Sequence, residues 1–320
     1  TFTNAAKIMI GTMIPTLANG IYNSGAFINN AGGEITIDHT TAHGLHSKKI
    51  IPSAPTATFT NAGKIAFGST AALGSRGLYN GDGSAFNNNT GGEITIDRST
   101  DIGLLNDAGG IFTNAAKITI GALASVGVRG IKNSATFTNN AGGEIKIDNA
   151  TEAGLENTDA GGTFNNTAKI IIGANASPGQ YGILNRSFST FNNNAGGELK
   201  VDGSTLYGII NRENSTFTNA ARITIGATEN VGIHGLVNLT SFANNPGGEI
   251  TIDRSNTGGL TNSLGGTFTN SATITIGAIT SVLPFGLIND GTLNNSNCGK
   301  LIVASGNTSN TASRTITNEG

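Results

Sequence analysis

The sequence predicts an all-β protein folded as a right-handed parallel β-solenoid, and three observations lead to that prediction. A motif such as FTNAAKITIG at residues 112–121 returns about every 26 residues along the whole chain. Each repeat contains three short segments in which apolar and polar residues alternate, a pattern typical of strands. Glycine and asparagine bound these segments, and 47 of the 320 residues are glycine. Three strands and three turns in so short a repeat fit one solenoid coil, and parallel crossovers are almost always right-handed.

The first predicted strand of each of the twelve coils carries a phenylalanine and, two residues later, an asparagine. The two side chains share one face of the strand, so we expect both to point into the solenoid and to stack in ladders. Leu293 replaces the twelfth phenylalanine. The phenylalanines are Phe2, Phe27, Phe59, Phe86, Phe112, Phe137, Phe164, Phe191, Phe217, Phe242 and Phe268. The asparagines are Asn4, Asn29, Asn61, Asn88, Asn114, Asn139, Asn166, Asn193, Asn219, Asn244, Asn270 and Asn295.

The second predicted strand reads Ile-x-Ile and is preceded by a residue whose charge alternates from coil to coil. Two coil types therefore alternate: one has Lys or Arg at this position, and the other has Gly-Gly-Glu and ends in Asp. Opposite charges on neighbouring strands attract, so we expect this column to set the register of the strands. Each exposed pair is expected to contribute only about 0–1 kcal/mol to stability. The column is Lys7, Glu34, Lys64, Glu93, Lys117, Glu144, Lys169, Glu198, Arg222 and Glu249, followed by Thr273 and Lys300.

The third predicted strand reads Gly-Ile/Leu-x-Asn, and its asparagine forms a second predicted ladder from Asn23 to Asn318, interrupted by Ser47. The corner after it varies most in length, and residues 46–58, with Pro52 and Pro55, are predicted to leave the coil as a loop. Residues 293–320 are predicted to form a degenerate last coil. Residues 1–320 are predicted to form a single β-solenoid repeat array.

Composition excludes several functions. The formal net charge is −2 and only 12% of residues are charged, so no electrostatic footprint for nucleic acid is present. No apolar run approaches the length of a membrane span. The single cysteine, Cys298, permits no disulfide within the chain, and we expect it to be a small buried apolar residue.

No group of residues predicts catalysis, a cofactor or a metal. Asp follows the second strand in every second coil, so neighbouring carboxylates lie roughly 10 Å apart, and solvated strand ends are favoured over a calcium site. Three of the four histidines, His39, His43 and His46, fall near the predicted loop, and a local irregularity is favoured over a metal site. The aspartates are Asp38, Asp97, Asp148, Asp202 and Asp253.

A threonine column raises the alternative of ice binding. The outward residue of Ile-x-Ile is threonine in six of the twelve coils. Met9, Ala66, Lys146, Ile171, Lys200 and Ile302 interrupt the column, and each strand offers only one such position. The threonines are Thr36, Thr95, Thr119, Thr224, Thr251 and Thr275.

The recurring motifs, such as Gly20-Ile21-Tyr22-Asn23 and Phe27-Ile28-Asn29, resemble the repetitive passenger regions of large bacterial surface adhesins of the filamentous-haemagglutinin and autotransporter kind. The resemblance implies a right-handed parallel β-helix at the cell surface or outside the cell. Our first hypothesis is therefore a non-enzymatic structural or adhesive rod or filament segment, whose surface or glycan target is unknown. A carbohydrate-active β-helix, lyase or hydrolase, is the alternative, and an ice-binding solenoid is the third.

The two ends of the sequence suggest self-association. The chain begins on a coil boundary at Thr1-Phe2 and ends at Asn318-Glu319-Gly320, where another phenylalanine is due. From Ile316 to the Phe2 of a following copy would be six positions, as from Ile21 to Phe27. We therefore expect either a fragment of a longer array or copies stacked end to end into a filament.

Overall fold

The computed structural model describes residues 1–11, 18–51, 56–159, 161–280, 282, 284–296, 298–310 and 315–318. Within these residues every regular element is a β-strand, and the strands form three sheets. Neighbouring strands in each sheet run parallel and belong to consecutive coils. The chain is therefore a parallel β-solenoid with three strands in each coil, which confirms the predicted fold class.

The first sheet contains the predicted phenylalanine strands. A strand such as Thr216–Asn219 buries its Phe and Asn, while its two other residues face outward. Threonine suits these outward positions because its β-branched side chain fits an extended backbone. The strands are Phe2–Asn4, Ala26–Asn29, Thr58–Asn61, Ala85–Asn88, Ile111–Asn114, Thr136–Asn139, Thr163–Asn166, Thr190–Asn193, Thr216–Asn219, Ser241–Asn244, Thr267–Asn270, Thr292–Asn295 and Thr315–Asn318.

The second sheet contains the Ile-x-Ile strands, whose two aliphatic side chains point inward. The glycine after the strand in one coil type has a positive φ, as at Gly121 with φ of 71°. A Cβ there would collide with the backbone carbonyl of Asp148, so only glycine closes this corner. The strands are Lys7–Ile10, Glu34–Ile37, Lys64–Phe67, Glu93–Ile96, Lys117–Ile120, Glu144–Ile147, Lys169–Ile172, Glu198–Val201, Arg222–Ile225, Glu249–Ile252, Thr273–Ile276 and Lys300–Val303.

The third sheet contains the Gly-Ile/Leu-x-Asn strands. Its glycine lies against the second sheet, where a Cβ on Gly130 would collide with the side chain of Ile147. The strands are Ile21–Asn23, His43–Lys48, Arg76–Gly81, Ile102–Asn106, Arg129–Asn133, Ala153–Asn157, Tyr181–Asn185, Tyr207–Asn211, His234–Asn238, Gly258–Asn262, Phe285–Asn289 and Asn307–Asn310.

The phenylalanines form one continuous stack in the core. From Phe27 to Phe268, successive ring centroids are 4.6–5.0 Å apart and successive ring planes differ by 1–10°. Phe2 begins the stack and is 51% exposed. Strands of ordinary sheets are rotated by about 20–25° from one to the next. The near-parallel rings therefore indicate that successive coils stack with little rotation.

Two ladders of buried asparagine side chains run beside this stack. In the first sheet each Nδ2 donates to the Oδ1 of the next coil's asparagine at 2.7–2.8 Å, without a break from Asn4 to Asn295. In the third sheet the same bond, at 2.8–3.1 Å, links the asparagines from Asn80 to Asn310. The buried amides thus satisfy one another.

The end of the second ladder differs from the prediction. Asn310, not Asn318, is its last member, because strand Asn307–Asn310 pairs with Phe285–Asn289 in the third sheet. Asn318 instead lies in the first sheet in register with Asn295, and Ile316 pairs with Leu293 at the phenylalanine position. The six-position spacing behind the stacking expectation therefore does not hold. The strand at residues 307–310 was not predicted, because its sequence lacks the usual glycine and isoleucine of the third-strand motif.

The alternating charges pair in the predicted register. Lys7 lies opposite Glu34, and the alternation continues to the pair Arg222 and Glu249. Lys117 Nζ lies 3.0 Å from Glu93 Oε1, and Arg222 Nε lies 3.4 Å from Glu249 Oε2. Both pairs are largely exposed, so each contributes little to stability, and the role of the column in setting the register stays a prediction.

The aspartates that follow the second strand of every second coil are buried, so the prediction of solvated strand ends was wrong. Asp97 Oδ1 accepts backbone N–H bonds from Leu123 at 2.8 Å and Ala124 at 3.1 Å. The other four aspartates bind the next coil's loop in the same way. Each carboxylate therefore anchors the loop of the following coil.

The second oxygen of Asp97 leads to a stability prediction. In three of the five coils Oδ2 accepts a side-chain donor from this loop, as from Thr228 at 2.9 Å to Asp202, whereas Asp253 resembles Asp97 in having no partner for this atom. Leu123 occupies that position beside Asp97, whose buried Oδ2 has no partner and whose pKa is raised by burial. We expect Leu123→Thr to raise the free energy of unfolding by about 1–2 kcal/mol, measured by urea denaturation at neutral pH. Leu123→Ala removes the same exposed side chain without adding a donor, and an equal gain from it would contradict the explanation.

Two further positions differ from expectation. Strand His43–Lys48 includes residues 46–48 and strand Thr58–Asn61 includes Thr58, so the segment between these strands is 49–57. Pro52 and Pro55 lie outside the described residues. Cys298 is exposed rather than buried, because it lies in the turn before Lys300–Val303 instead of on an inward strand position.

Candidate functional site: the outer face of the third sheet

The outer face of the third sheet carries side chains that do not repeat. Two positions of each strand face outward: the residue before the glycine and the residue before the asparagine. In the first coils these positions hold tyrosine, histidine and arginine, and in the middle coils they hold an ionic group. Farther on they are mostly apolar, apart from His234 and Thr261, which hydrogen-bond to each other. The scaffold is thus regular while this face varies along the solenoid.

Five residues at one end of this face form a group that we call the Tyr–His cluster: Tyr22, His43, His46, Arg76 and Tyr79. The strand register places Tyr22, His46 and Tyr79 in consecutive coils. The His46 ring stacks on Tyr79 at a centroid distance of 4.4 Å and an interplanar angle of 11°. Tyr22 meets His46 edge-on at 5.2 Å and 85°, and its side chain is 50% exposed. The cluster therefore presents an aromatic edge to solvent.

Polar groups hold the cluster in place. The Arg76 guanidinium carbon lies 4.9 Å from the centroid of the Tyr79 ring, a cation–π distance. The Tyr79 hydroxyl donates to Asp107 Oδ2 at 2.9 Å. At the strand end, Lys48 Nζ lies 2.6 Å from Asp82 Oδ2. The rings are therefore fixed before any ligand arrives.

Both histidines of the cluster are uncharged at neutral pH. Burial lowers the pKa of His46 from 6.5 to about 4, and neighbouring His43 and Lys48 add to the effect. Burial, and then Arg76, lowers the pKa of His43. Burial and the bond to Asp107 raise the pKa of Tyr79 to about 12. The cluster is thus built around neutral rings beside one guanidinium.

The lowered pKa of His46 predicts a loss of stability in acid. Between pH 6.5 and about 4 the unfolded chain binds a proton at His46 that the folded chain does not, so the free energy of unfolding falls as the pH falls through this window. His46→Tyr, with the residue type of both flanking coils, removes this titration. We expect the variant to lose less stability than the wild type between pH 7 and 4.5, measured by urea denaturation. Identical pH profiles would contradict the assignment.

Two polar atoms of the cluster are buried without a hydrogen-bond partner among the described residues: His46 Nε2 and Arg76 Nε. Buried polar atoms are usually paired, so unpaired ones mark places where water or another group completes the hydrogen bonding. With the half-exposed Tyr22 ring beside them, they can bind a molecule that has both an apolar face and hydroxyl groups.

The middle of the face is an ionic group. Glu156 is fully buried and lies between two arginines, Arg129 and Arg186, with Arg186 Nε 2.6 Å from Glu156 Oε1. Arg129 also reaches Glu152 at 3.0 Å. A buried carboxylate with two guanidinium partners is satisfied by its neighbours, so this group stabilises the face rather than offering a free carboxylate.

Farther along, the face is mostly apolar. Ala153, Leu184, Ile210 and Val237 form a small buried cluster outside the main core, and Tyr181 and Tyr207 pack against it. The Tyr181 and Tyr207 centroids are 5.8 Å apart. The tyrosines therefore cover this part of the face, and it offers less exposed ring surface than the Tyr–His cluster.

The predicted histidine group is only partly brought together. His43 and His46 are neighbours, whereas His39 Nδ1 lies 2.7 Å from the Gly11 carbonyl oxygen at another corner. In the part of the chain that the structure describes, no three His, Cys, Asp or Glu side chains are placed to hold a metal ion. No helix in that part is long and apolar enough to cross a membrane.

Sequence reasoning did not select Tyr22, Arg76 or Tyr79. A signal for them exists, because each occupies an outward position of the Gly-Ile/Leu-x-Asn strand. Tyr22 and His46 are 24 residues apart, but His46 and Tyr79 are separated by 33 because the segment 49–57 intervenes. Because of this irregular spacing, the column of Tyr22, His46 and Tyr79 was not recognised from the sequence.

The fold and the ladders define the protein as a parallel β-solenoid repeat protein. No family model and no curated protein matches the chain. Among solved structures, the chain is similar to a fragment of TibA whose hyper-glycosylation is catalysed by TibC, with 15% sequence identity and a TM-score of 0.27. The match covers 99% of this chain and 96% of that one. So low a TM-score supports no inference about function.

Proposed function

We propose that the protein is a non-enzymatic, extracellular solenoid rod that uses the outer face of its third sheet as an adhesive surface. The observation that carries the proposal is the contrast between a repeating scaffold and a varied face. Repeat proteins commonly bind their partners on one extended face whose residues differ from repeat to repeat. Here that face contains the Tyr–His cluster, with its half-exposed ring and unpaired polar atoms.

The interior supports the rod. Phenylalanine rings and two amide ladders run along almost the whole described chain, so each coil is bound to both neighbours by the same contacts. Twelve coils at one strand spacing each make a rod of roughly 55–60 Å. Such a scaffold holds binding groups of different coils at fixed distances.

The chemistry of the Tyr–His cluster favours a glycan as the target. A sugar ring offers apolar C–H groups to the half-exposed Tyr22 ring and hydroxyl groups to the polar side chains around it. The cluster is neutral apart from Arg76, since both histidines are uncharged at neutral pH. A neutral or singly acidic glycan therefore suits it better than a polyanion.

Tyr22→Ala tests the adhesive site. We expect the labelled wild-type protein to be retained by at least one member of an immobilised glycan panel, and Tyr22→Ala to bind that glycan at least tenfold more weakly, about 1.4 kcal/mol. Because Tyr22 is half exposed, its loss should leave the melting temperature nearly unchanged.

Met9→Ala is the matched control, since Met9 is 55% exposed in the same coil but lies on the second sheet. Retention by no glycan, or equal weakening in both variants, would contradict the proposed site. Turnover of a polysaccharide that Asp107→Asn abolishes would instead support the carbohydrate-active alternative.

A further inference from the structure

The outer face of the first sheet, which we call the threonine face, carries two outward positions on each strand, one on either side of the phenylalanine. From Thr136 to Asn294, seven consecutive strands hold Thr, Ser or Asn at both positions, except for Ala243. The first column of these strands is Thr136, Thr163, Thr190, Thr216, Ser241, Thr267 and Thr292, and the second is Thr138, Asn165, Asn192, Thr218, Ala243, Thr269 and Asn294.

The threonine face is free of charge. Among the described outward positions of the first sheet none is Asp, Glu, Lys or Arg, including the apolar interruptions Ala26, Ile28, Ala85 and Ile111. The second sheet presents Lys and Glu, and the third presents Arg and Glu. A neutral face on one sheet only is therefore a specific property of that sheet.

The threonine face is also flat. The phenylalanine rings directly beneath it are 4.6–5.0 Å apart and nearly parallel over nine steps. Along a strand, the two outward positions are about 6.6 Å apart, twice the rise per residue. The hydroxyl, amide and methyl groups thus form a planar lattice that repeats in two directions.

Contacts between coils hold this lattice in place. Thr113 Oγ1 donates to Asn87 Oδ1 at 2.8 Å, and Asn192 Nδ2 donates to Asn165 Oδ1 at 2.9 Å. Thr218 Oγ1 in turn donates to Asn192 Oδ1 at 2.8 Å. Outward side chains that bind one another lose less conformational freedom when a ligand arrives, which favours binding.

We propose that the threonine face binds ice. A ligand complementary to a flat, neutral, two-dimensional lattice of hydroxyl and methyl groups must itself be flat, neutral and periodic. Crystalline water meets these conditions and can both donate to and accept from threonine hydroxyls. The described outward positions of the first sheet include no aromatic ring on which a crystalline polysaccharide could stack.

This inference does not rest on the proposed function, because it concerns a different sheet. It also moves the ice-binding hypothesis from the interrupted threonine column of the second sheet to the first sheet. There, both outward positions of most strands hold uncharged polar residues, whereas the Ile-x-Ile strands carry Lys, Arg or Glu at one or both of their two outward positions in most coils.

Thr216→Lys and Thr224→Lys test the proposal. They place the same charge in the same coil, on the first and the second sheet respectively. We expect the purified wild-type chain to enter slowly growing ice and to show thermal hysteresis. Thr216→Lys should reduce both several-fold, Thr224→Lys should leave both unchanged, and melting curves should show that both variants are folded.

Exclusion of the wild type from ice would overturn the inference, and so would equal losses in the two variants. Binding to crystalline cellulose or chitin without entry into ice would also overturn it. Tyr22→Ala should retain full ice activity, so failure of the adhesive site and failure of the threonine face are distinguishable.

Discussion

Replacing Phe112 by alanine is expected to lower the free energy of unfolding by about 3–5 kcal/mol. The ring is fully buried between Phe86 and Phe137, with centroid distances of 4.9 and 4.6 Å. Its neighbours belong to strands held in register on both sides, so they cannot move together to fill the cavity. Urea denaturation followed by circular dichroism measures the change.

Phe2→Ala is the control for this prediction. Phe2 has the same sequence context but is 51% exposed and stacks on one ring only, that of Phe27 at 4.7 Å. We expect Phe2→Ala to lower the free energy of unfolding by less than about 1 kcal/mol, because folding buries little of the apolar surface of this ring. If Phe112→Ala cost no more than Phe2→Ala, the stacked interior could not be the main source of stability.

The inward ladders could be predicted from the sequence because the fold is parallel and in register. In such a solenoid, a column in the repeat alignment is a row of neighbours in space. Phe112 and Asn114 are therefore stacked on their counterparts at the predicted positions, and Lys117 lies opposite Glu93 and Glu144. A shift of one residue would turn the phenylalanine outward, so the period determines the interior.

Contacts between different columns were not predictable in the same way. Asp97 binds backbone N–H groups of Leu123 and Ala124, which carry no side-chain signal for that role. At the C-terminal end, Asn310 and Asn318 are both asparagines after a strand-like segment, and only pairing distinguishes them. An alignment of the repeats does not show which backbone groups a side chain contacts, or which strand a C-terminal segment pairs with.

The three outer faces are the part of the molecule that the repeat does not determine. Each face can vary without disturbing the interior, because outward side chains alternate with the ladder residues along every strand. The first sheet uses this freedom for a uniform neutral lattice, and the third uses it for the Tyr–His cluster. One scaffold can therefore support two independent binding surfaces.

Asn166→Ala is expected to lower the free energy of unfolding by about 2–6 kcal/mol. The Asn166 amide accepts from Asn139 Nδ2 and donates to Asn193 Oδ1, both at 2.8 Å. It also bonds the backbone of Ala168. Alanine leaves at least two buried polar groups without this partner, each costing roughly 1–3 kcal/mol, and water has no access to them.

Asn165→Ala is a matched control one residue away. Asn165 lies on the same strand but faces outward, and its bond from Asn192 Nδ2 can be replaced by water. We expect this variant to remain within about 0.5 kcal/mol of the wild type. Equal losses from the two variants would mean that strand pairing, and not the buried amide ladder, accounts for the effect. A large difference would establish that the ladder stabilises the coils on both sides of it.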